Sequence, residues 1–423
     1  MNERLLQFIW QHQYFNKKEL RLSNGTCFQI IRHGTYNSNQ GPDFSNALIE
    51  LEGTHWAGNI ELHVKASDWT KHDHQDDENY RNVILHVVWI DDEAQPVNNI
   101  PLFILESRVS KILLHQYESW MNNGTAYFPC QAHLGRVNKK VLNYWLDEQA
   151  EERLMKKASE IRMLLDCNQL HWEATCWMLI AKNFGARVNV DVFEAVARSI
   201  PVTVLARHKH QIHAVEAMLF GQAGLLSSRF EEKYPQLLQK EYHFYRKKYR
   251  LQPVHLPVYF LRMRPANFPT IRFAQLAMLV HLSPPLFAFI RDSSEVKDVR
   301  KQFMVTANDY WHYHFRFDQL SDYQPKQVGT SMIDNLMINT IVPLLYAYGT
   351  INSQPEYIQK ALLWLSVTPG EKNKVTGNFQ SAGFTLRNAR QSQGLLELKT
   401  FFCDTKGCLD CAIGKELLNN PHP

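Results

Sequence analysis

A chain of 423 residues exceeds one ordinary core, so two or three domains are expected. Hydrophobic residues at 45% and charged residues at 21% exclude a disordered chain, and a formal charge of +4 is too small to mark a partner by bulk charge. No apolar run reaches the roughly 18 residues of a membrane span, and the start MNERLLQFIWQHQYF lacks a signal-peptide layout; a cytoplasmic protein without a membrane partner is expected.

Along the chain, ERLLQFIWQHQYF places Leu5, Leu6, Ile9 and Trp10 at helical spacing. CFQIIRHG predicts a short strand, and NSNQGPD is turn chemistry. FSNALIELEG and THWAGNIELHVKA then predict a hairpin about Gly53-Thr54. SDWTKHDHQDDENY opens with the cap residue Ser67 and is polar throughout, a short helix or loop. VILHVVWI is continuously apolar, as a strand covered on both faces requires.

From NKKVLNYWLDEQAEERLMKKASEIRMLL onward the periodicity is helical, through WEATCWMLIAKNF, VDVFEAVARSI, HAVEAMLFG and FPTIRFAQLAMLVHL. In IDNLMINTIVPLLYAYG, Pro343 should kink the helix or end a turn. These elements predict an α/β domain over residues 1–125, a mainly α-helical domain over 126–400 and a cysteine-containing tail over 401–423.

Residues two apart in a strand share a face. Glu61, His63 and Lys65 therefore stand on one side of NIELHVK, and Ile60, Leu62 and Val64 on the other. If the hairpin pairs antiparallel, Asp43 at the start of its first strand meets the Glu61 end of its second. Two acids there would hold a hard divalent ion such as Mg²⁺ or Mn²⁺, with His63 as base or ligand and Lys65 as a charge stabiliser. Glu3 in the first helix is a further acid that such a site can use. The alternative is a capped turn and a solvated strand face.

Pro42-Asp43 followed on the next strand by an acid resembles the PD-(D/E)xK nuclease superfamily. The resemblance implies a restriction-endonuclease-like mixed sheet with flanking helices, metal ligands at Asp43 and Glu61, and a lysine that activates water. His63 occupies that lysine position, and Lys65 is the substitute one pleat further on.

The run KHDHQDDENY brings His72, His74, Asp76 and Asp77 together, ligand types suited to zinc or manganese. It lines the cleft in the nuclease reading, where Asp68 and His72 would touch phosphate or a second metal. A zinc-dependent hydrolase built on His72 and His74 is a separate reading, and a polar surface loop is the plain one. His86 within VILHVVWI is expected to be a hydrogen-bonded core histidine.

Near the end, Cys403, Cys408 and Cys411 form a C-x4-C-x2-C arrangement. With a fourth thiolate it would make a structural zinc or iron–sulfur site, Cys130 being the first choice and Cys27 the second. Some RecB-like members of the nuclease superfamily are similar in layout, with one upstream cysteine and three C-terminal ones.

KEYHFYRKKYRLQPVHLPVYFLRMRPANFPTIR interleaves Arg246, Lys247, Lys248, Arg250, Arg262, Arg264 and Arg272 with aromatic residues. Cations contact phosphates and rings stack on unpaired bases, so this stretch is the candidate nucleic-acid surface. As a whole, the motifs GPDF, GNIELHVKASDW, H-x-H-x-D-D, VILHVV, RPANFPT and the cysteine tail resemble a bacterial family of uncharacterised proteins, a domain of unknown function.

The readings kept are a metal-dependent phosphodiesterase acting on DNA or RNA, a non-catalytic nucleic-acid- or protein-binding scaffold on the same fold, and the zinc hydrolase.

Overall fold

The apolar stripe of the opening segment folds as α1 (Glu3–Gln11), burying Leu5, Leu6, Phe8, Ile9 and Trp10. Asn2 caps it by accepting the Leu5 N–H at 2.9 Å. The computed structural model describes residues 1–37, 39–93, 100–122, 126–261 and 263–420. It divides into two compact units. One comprises Met1–Trp145, Ala382–Phe384 and Lys399–Pro423, the other Leu146–Ser381 and Thr385–Leu398. The cysteine tail thus belongs to the first unit, and the division at residues 145/146 falls inside a helix.

The first unit holds a mixed sheet of β1 (Phe28–Arg32), β2 (Thr35–Tyr36), β3 (Phe44–Leu51), β4 (Thr54–Lys65), β5 (Val83–Ile90) and β6 (Leu102–Ile104). The strand order is β1-β3-β4-β5-β6, with β2 also paired to β3. β3 runs antiparallel to β1, β2 and β4, whereas β4, β5 and β6 are mutually parallel along the sheet. Glu52 and Gly53 join β3 to β4, both at positive φ (52° and 77°). Such a two-residue turn matches the twist of the flanking strands.

That turn sets the register from Leu51–Thr54 to Ala47–Gly58. A bulge between Phe44 and Ala47 then shifts it by one, so Phe44 pairs with Ile60 and Asp43, immediately before β3, lies beside Glu61. On the other edge of β4, Glu61 is in register with His86 of β5. Val83 to Val88 are all buried, as a strand with both faces covered requires.

Ser67 does not cap the short helix α2 (Asp68–Lys71). Its hydroxyl donates to Asp92 Oδ2 at 2.8 Å and its N–H to Oδ1 at 3.0 Å, tying the turn to the end of β5. After α3 (Lys111–Asn122) comes the long α4 (Lys139–Cys167).

The second unit is helical, as the periodicity predicts. Helices Trp172–Phe184, Val190–Ser199, Ile212–Gln222 and Pro269–Leu282 share one apolar core with Leu154, Ala158 and Ile161. Pro343 acts as anticipated. It lies in the first turn of helix Val342–Ile351, directly after a π-helical turn at Met337–Ile341. Proline lacks an N–H and its ring crowds the carbonyl four residues back, here Asn339, so the chain widens there. Among the described residues, no single helix is long and apolar enough to cross a membrane.

Candidate metal centre

The β3–β4 hairpin brings Asp43 and Glu61 together, and the backbone locks them. The Asp43 N–H donates to Glu61 Oε2 at 3.0 Å, and the Leu62 N–H to Asp43 Oδ2 at 3.2 Å. From α1, Gln7 Nε2 donates to Asp43 Oδ1 at 2.7 Å. Glu61 Oε1 faces away from these donors, toward His63 Nε2 at 3.6 Å and His74 Nε2 at 3.5 Å.

The polar side of β4 is not solvated. Glu61 is 4% and His63 1% exposed. The histidine segment after α2 covers them. His74 stacks on His63 with ring centres 5.2 Å apart and on Tyr80 at 3.8 Å, while His72 approaches His63 edge-on at 5.1 Å. Two sets of ligand atoms each lie within 4.8 Å of one another: His63, His72 and His74, and Glu3, Glu61 and His63. His63 belongs to both.

Burial and like charges shift the titratable groups of Asp43, Glu61 and His63. Burial, and then the charge of Glu3, raises Asp43 to about 7; burial, and then Asp43, raises Glu61 to about 9. Burial raises Glu3 as well, and nearby Asp68 adds to the shift. The charges acting on Asp43 and Glu61 are thus other carboxylates. Burial, followed by the neighbouring His86, His74 and His72, pushes His63 down to about 2. His63 Nδ1 is 2.9 Å from His86 Nε2, whereas His63 Nε2 is buried without any hydrogen-bond partner. The unpartnered His63 nitrogen and the Glu61 carboxyl oxygen beside it form a donor set that could hold a cation.

Lys65 does not join this centre. Its side chain is 54% exposed and its ammonium lies 3.9 Å from Asp92. Beyond His63 the strand leaves the covered part of the sheet, so the parity that places Lys65 on the right face puts it in solvent. Sequence reasoning set the His72–His74 segment along the cleft but did not pair either histidine with His63, because that partner is a strand residue outside their own segment. Gln7 and Tyr80 were missed; a glutamine one turn after Glu3 carried no signal by itself. His86 is the hydrogen-bonded histidine expected.

Residues 3–374 match the family described as "Protein of unknown function (DUF2851)". The chain belongs to that family. No curated protein and no solved structure matches it. For this DUF2851 member, the PD-(D/E)xK resemblance therefore rests on the centre's own residues.

The same unit holds a second cluster. Cys130 precedes the 3₁₀ turn Gln131–Arg136, Cys403 ends the π-helical turn Lys399–Cys403, and Cys408 and Cys411 precede helix Ala412–Asn419. Burial raises all four thiols, and the other cysteines add to the shift at Cys130, Cys403 and Cys408. The mutual effect puts Cys130 in the cluster. Cys27 is exposed. Backbone N–H groups of Ile413 and Gly414 favour a thiolate at Cys411. A Cβ on Gly414 would lie 2.1 Å from the Cys408 carbonyl, so this tight turn needs glycine.

Of the basic residues singled out, Arg246, Lys247 and Lys248 are exposed in the last turn of helix Lys233–Tyr249. Arg264 is exposed beyond it. Arg262 lies outside the described residues. Arg272 is instead largely buried.

Proposed function

We propose that this DUF2851 protein is a divalent-metal-dependent phosphodiesterase that cuts DNA or RNA on a restriction-endonuclease-like α/β unit. The observation carrying it is the meeting of Glu3, Glu61 and His63, whose Nε2 is unpartnered, with Asp43 locked beside Glu61. Asp43 and Glu61 would hold Mg²⁺ or Mn²⁺, and the nitrogen donor at His63 favours Mn²⁺ of the two. The bound ion would acidify water and draw charge from a phosphodiester.

The chain's own groups do the rest. Gln7 and the Leu62 N–H fix the Asp43 carboxylate, and the Asp43 N–H fixes Glu61. His86 orients His63 through Nδ1. His72 is exposed at the mouth of the centre, where its imidazole can accept the proton of an attacking water. Arg246, Lys247, Lys248 and Arg264 would supply phosphate contacts in the second unit.

The four cysteines are read as a structural iron–sulfur site, on the layout of one upstream and three C-terminal cysteines that resembles RecB-like proteins, with a single zinc ion as the other occupant.

A second reading, a zinc-dependent hydrolase, is supported by the His63–His72–His74 set. The deciding experiment incubates the full chain with labelled single- and double-stranded DNA and with RNA, in Mg²⁺, Mn²⁺ or Zn²⁺. Cleavage in Mg²⁺ or Mn²⁺ that disappears in Glu61→Gln supports the nuclease reading. Tight metal binding without cleavage of any polymer returns the scaffold, and activity confined to Zn²⁺ returns the hydrolase.

A further inference from the structure

A cavity of about 650 Å³ opens within the helical unit, and its wall is more basic than the local acids can balance. Lys157, Lys182, Arg187 and Arg272 line it, against Glu160 and Glu194. Glu194 is already engaged, 2.9 Å from Lys182 and 3.0 Å from Arg198. Three cations then face one acid.

The two inner cations are held by neutral groups. Lys157 Nζ donates to Asn339 Oδ1 at 2.8 Å and Gln393 Oε1 at 3.4 Å. Arg272 Nη1 donates to Gln275 Oε1 at 2.9 Å and Nη2 to Asn267 Oδ1 at 2.6 Å. Arg272 Nε is buried and has no partner. Amide oxygens solvate a cation without cancelling its charge. Burial accordingly pulls Lys157 down to about 8 and Arg272 to about 10. Holding both side chains in place by amides keeps their charge available to something else.

The wall is shaped as well as charged. The π-helical turn ahead of Pro343 presents Asn339 and Thr340 to the cavity, and Asn183 Nδ2 donates to Thr340 Oγ1 at 3.3 Å. π-Turns inside helices recur at functional sites. The volume falls among those of small-molecule sites, about 300–1,000 Å³, and far exceeds a lone inorganic anion. A guanidinium and an ammonium on one wall suit oxyanion oxygens, and amides suit the hydrogen-bonding edge of an attached organic body.

We propose that this cavity binds a phosphate-bearing small molecule of nucleotide size, its phosphate held by Arg272 and Lys157 with Arg187 at the rim. The site lies wholly in the second unit and is independent of the metal centre.

Calorimetric titration of the full chain with AMP, ADP, inorganic pyrophosphate and citrate tests this. Saturable binding of AMP or ADP is expected, weakened at least about tenfold by Arg272→Gln. Because Arg272 is buried, the exposed Arg187→Gln is the companion variant. It should keep the melting temperature of the wild type and still weaken binding about threefold or more. Absence of binding by both nucleotides, binding unchanged in Arg187→Gln, or citrate binding as tightly as the phosphates each overturns the assignment. So does binding of a 5′-phosphorylated oligonucleotide when the mononucleotides do not bind.

Discussion

The Nδ1 atom of His63 lies 2.9 Å from Nε2 of His86, and this contact leaves His63 Nε2 as the nitrogen turned toward Glu61. For Nε2 to serve as a ligand, the ring proton must sit on Nδ1 and be donated to His86. His86 therefore selects the tautomer. His86→Phe fills a similar volume but accepts nothing. Its affinity for Mn²⁺, measured by calorimetry, should fall about 10–100-fold, with partial recovery in His86→Gln. Unchanged affinity in the phenylalanine variant would remove His86 from the centre.

The raised acids make a statement about pH. Asp43 and Glu61 titrate at about 7 and about 9 in the fold, against ordinary values of 3.8 and 4.5. Such acids keep their protons in the fold after the unfolded chain has lost them. Their contribution is complete below the ordinary values and is lost as pH rises to about 9. His63 and His86 are depressed to about 2 and about 4, so their contribution is present above 6.5 and is lost as pH falls. From about pH 7 to 9 these acids act together with buried Glu216, raised to about 8, and are opposed at the upper end by Lys157, lowered to about 8. The metal-free protein should melt lower at the upper end of that range, and Glu61→Gln should flatten the slope. A slope unchanged between the wild type and Glu61→Gln contradicts the raised acid.

Cation binding must expel those protons. Mn²⁺ should bind more tightly as pH rises through the same range and should restore more melting temperature at its upper end. Calorimetry in buffers of different ionisation enthalpy counts the protons released; a count of zero would mean that the acids are not the ligands.

Two residues on the same strand should behave oppositely. His63→Ala removes the ligand nitrogen shared by both sets and should abolish tight metal binding. Lys65→Ala removes only an exposed ammonium near Asp92, a pair expected to contribute about 0–1 kcal/mol, and should leave metal affinity and melting temperature nearly unchanged. Loss of metal in Lys65→Ala would restore the lysine to the centre.

At the cysteines, protein purified without oxygen should carry iron and absorb near roughly 400 nm. Cys130→Ser and Cys403→Ser should lose both signals, while Cys27→Ser should keep them, since Cys27 is exposed and outside the cluster. Zinc without iron in the wild type would replace the cluster with a single ion.

The basic helix end gives a salt-dependent readout. Replacing Arg246, Lys247 and Lys248 with glutamine should weaken nucleic-acid binding across sequences. The salt slope should become shallower by about 0.7–0.9 for each phosphate that is no longer neutralised. An unchanged slope would remove this helix end from the interface.

Much of this was legible in the sequence because local chemistry repeats with the period of the element. The stripe of α1, the unbroken apolar run of β5 and the helical periods of the second unit predicted those elements directly. That Asp43 lies near the Glu61 end of the hairpin was legible too, but the turn alone would set it opposite Leu62, and a bulge between Phe44 and Ala47 brings it to Glu61. His72 and His74 were visible as ligand types but not as partners of His63. Their approach depends on how the segment after α2 folds back over the sheet, and no spacing rule encodes that. Arg272 read as part of a basic surface, yet it lines a cavity beside a π-turn.

By itself, then, the sequence determined the elements, the hairpin turn and the end of it where Asp43 and Glu61 meet, because backbone periodicity and turn chemistry act over a few residues. Only the tertiary structure decided which side chains lost water. Burial excluded Lys65, enclosed His63 among Glu61, His72, His74 and His86, and closed Cys130 onto the tail. The reason is physical: desolvation turns a polar residue into a ligand or a charged group into an unpaired one, and it depends on elements far apart in the chain packing together.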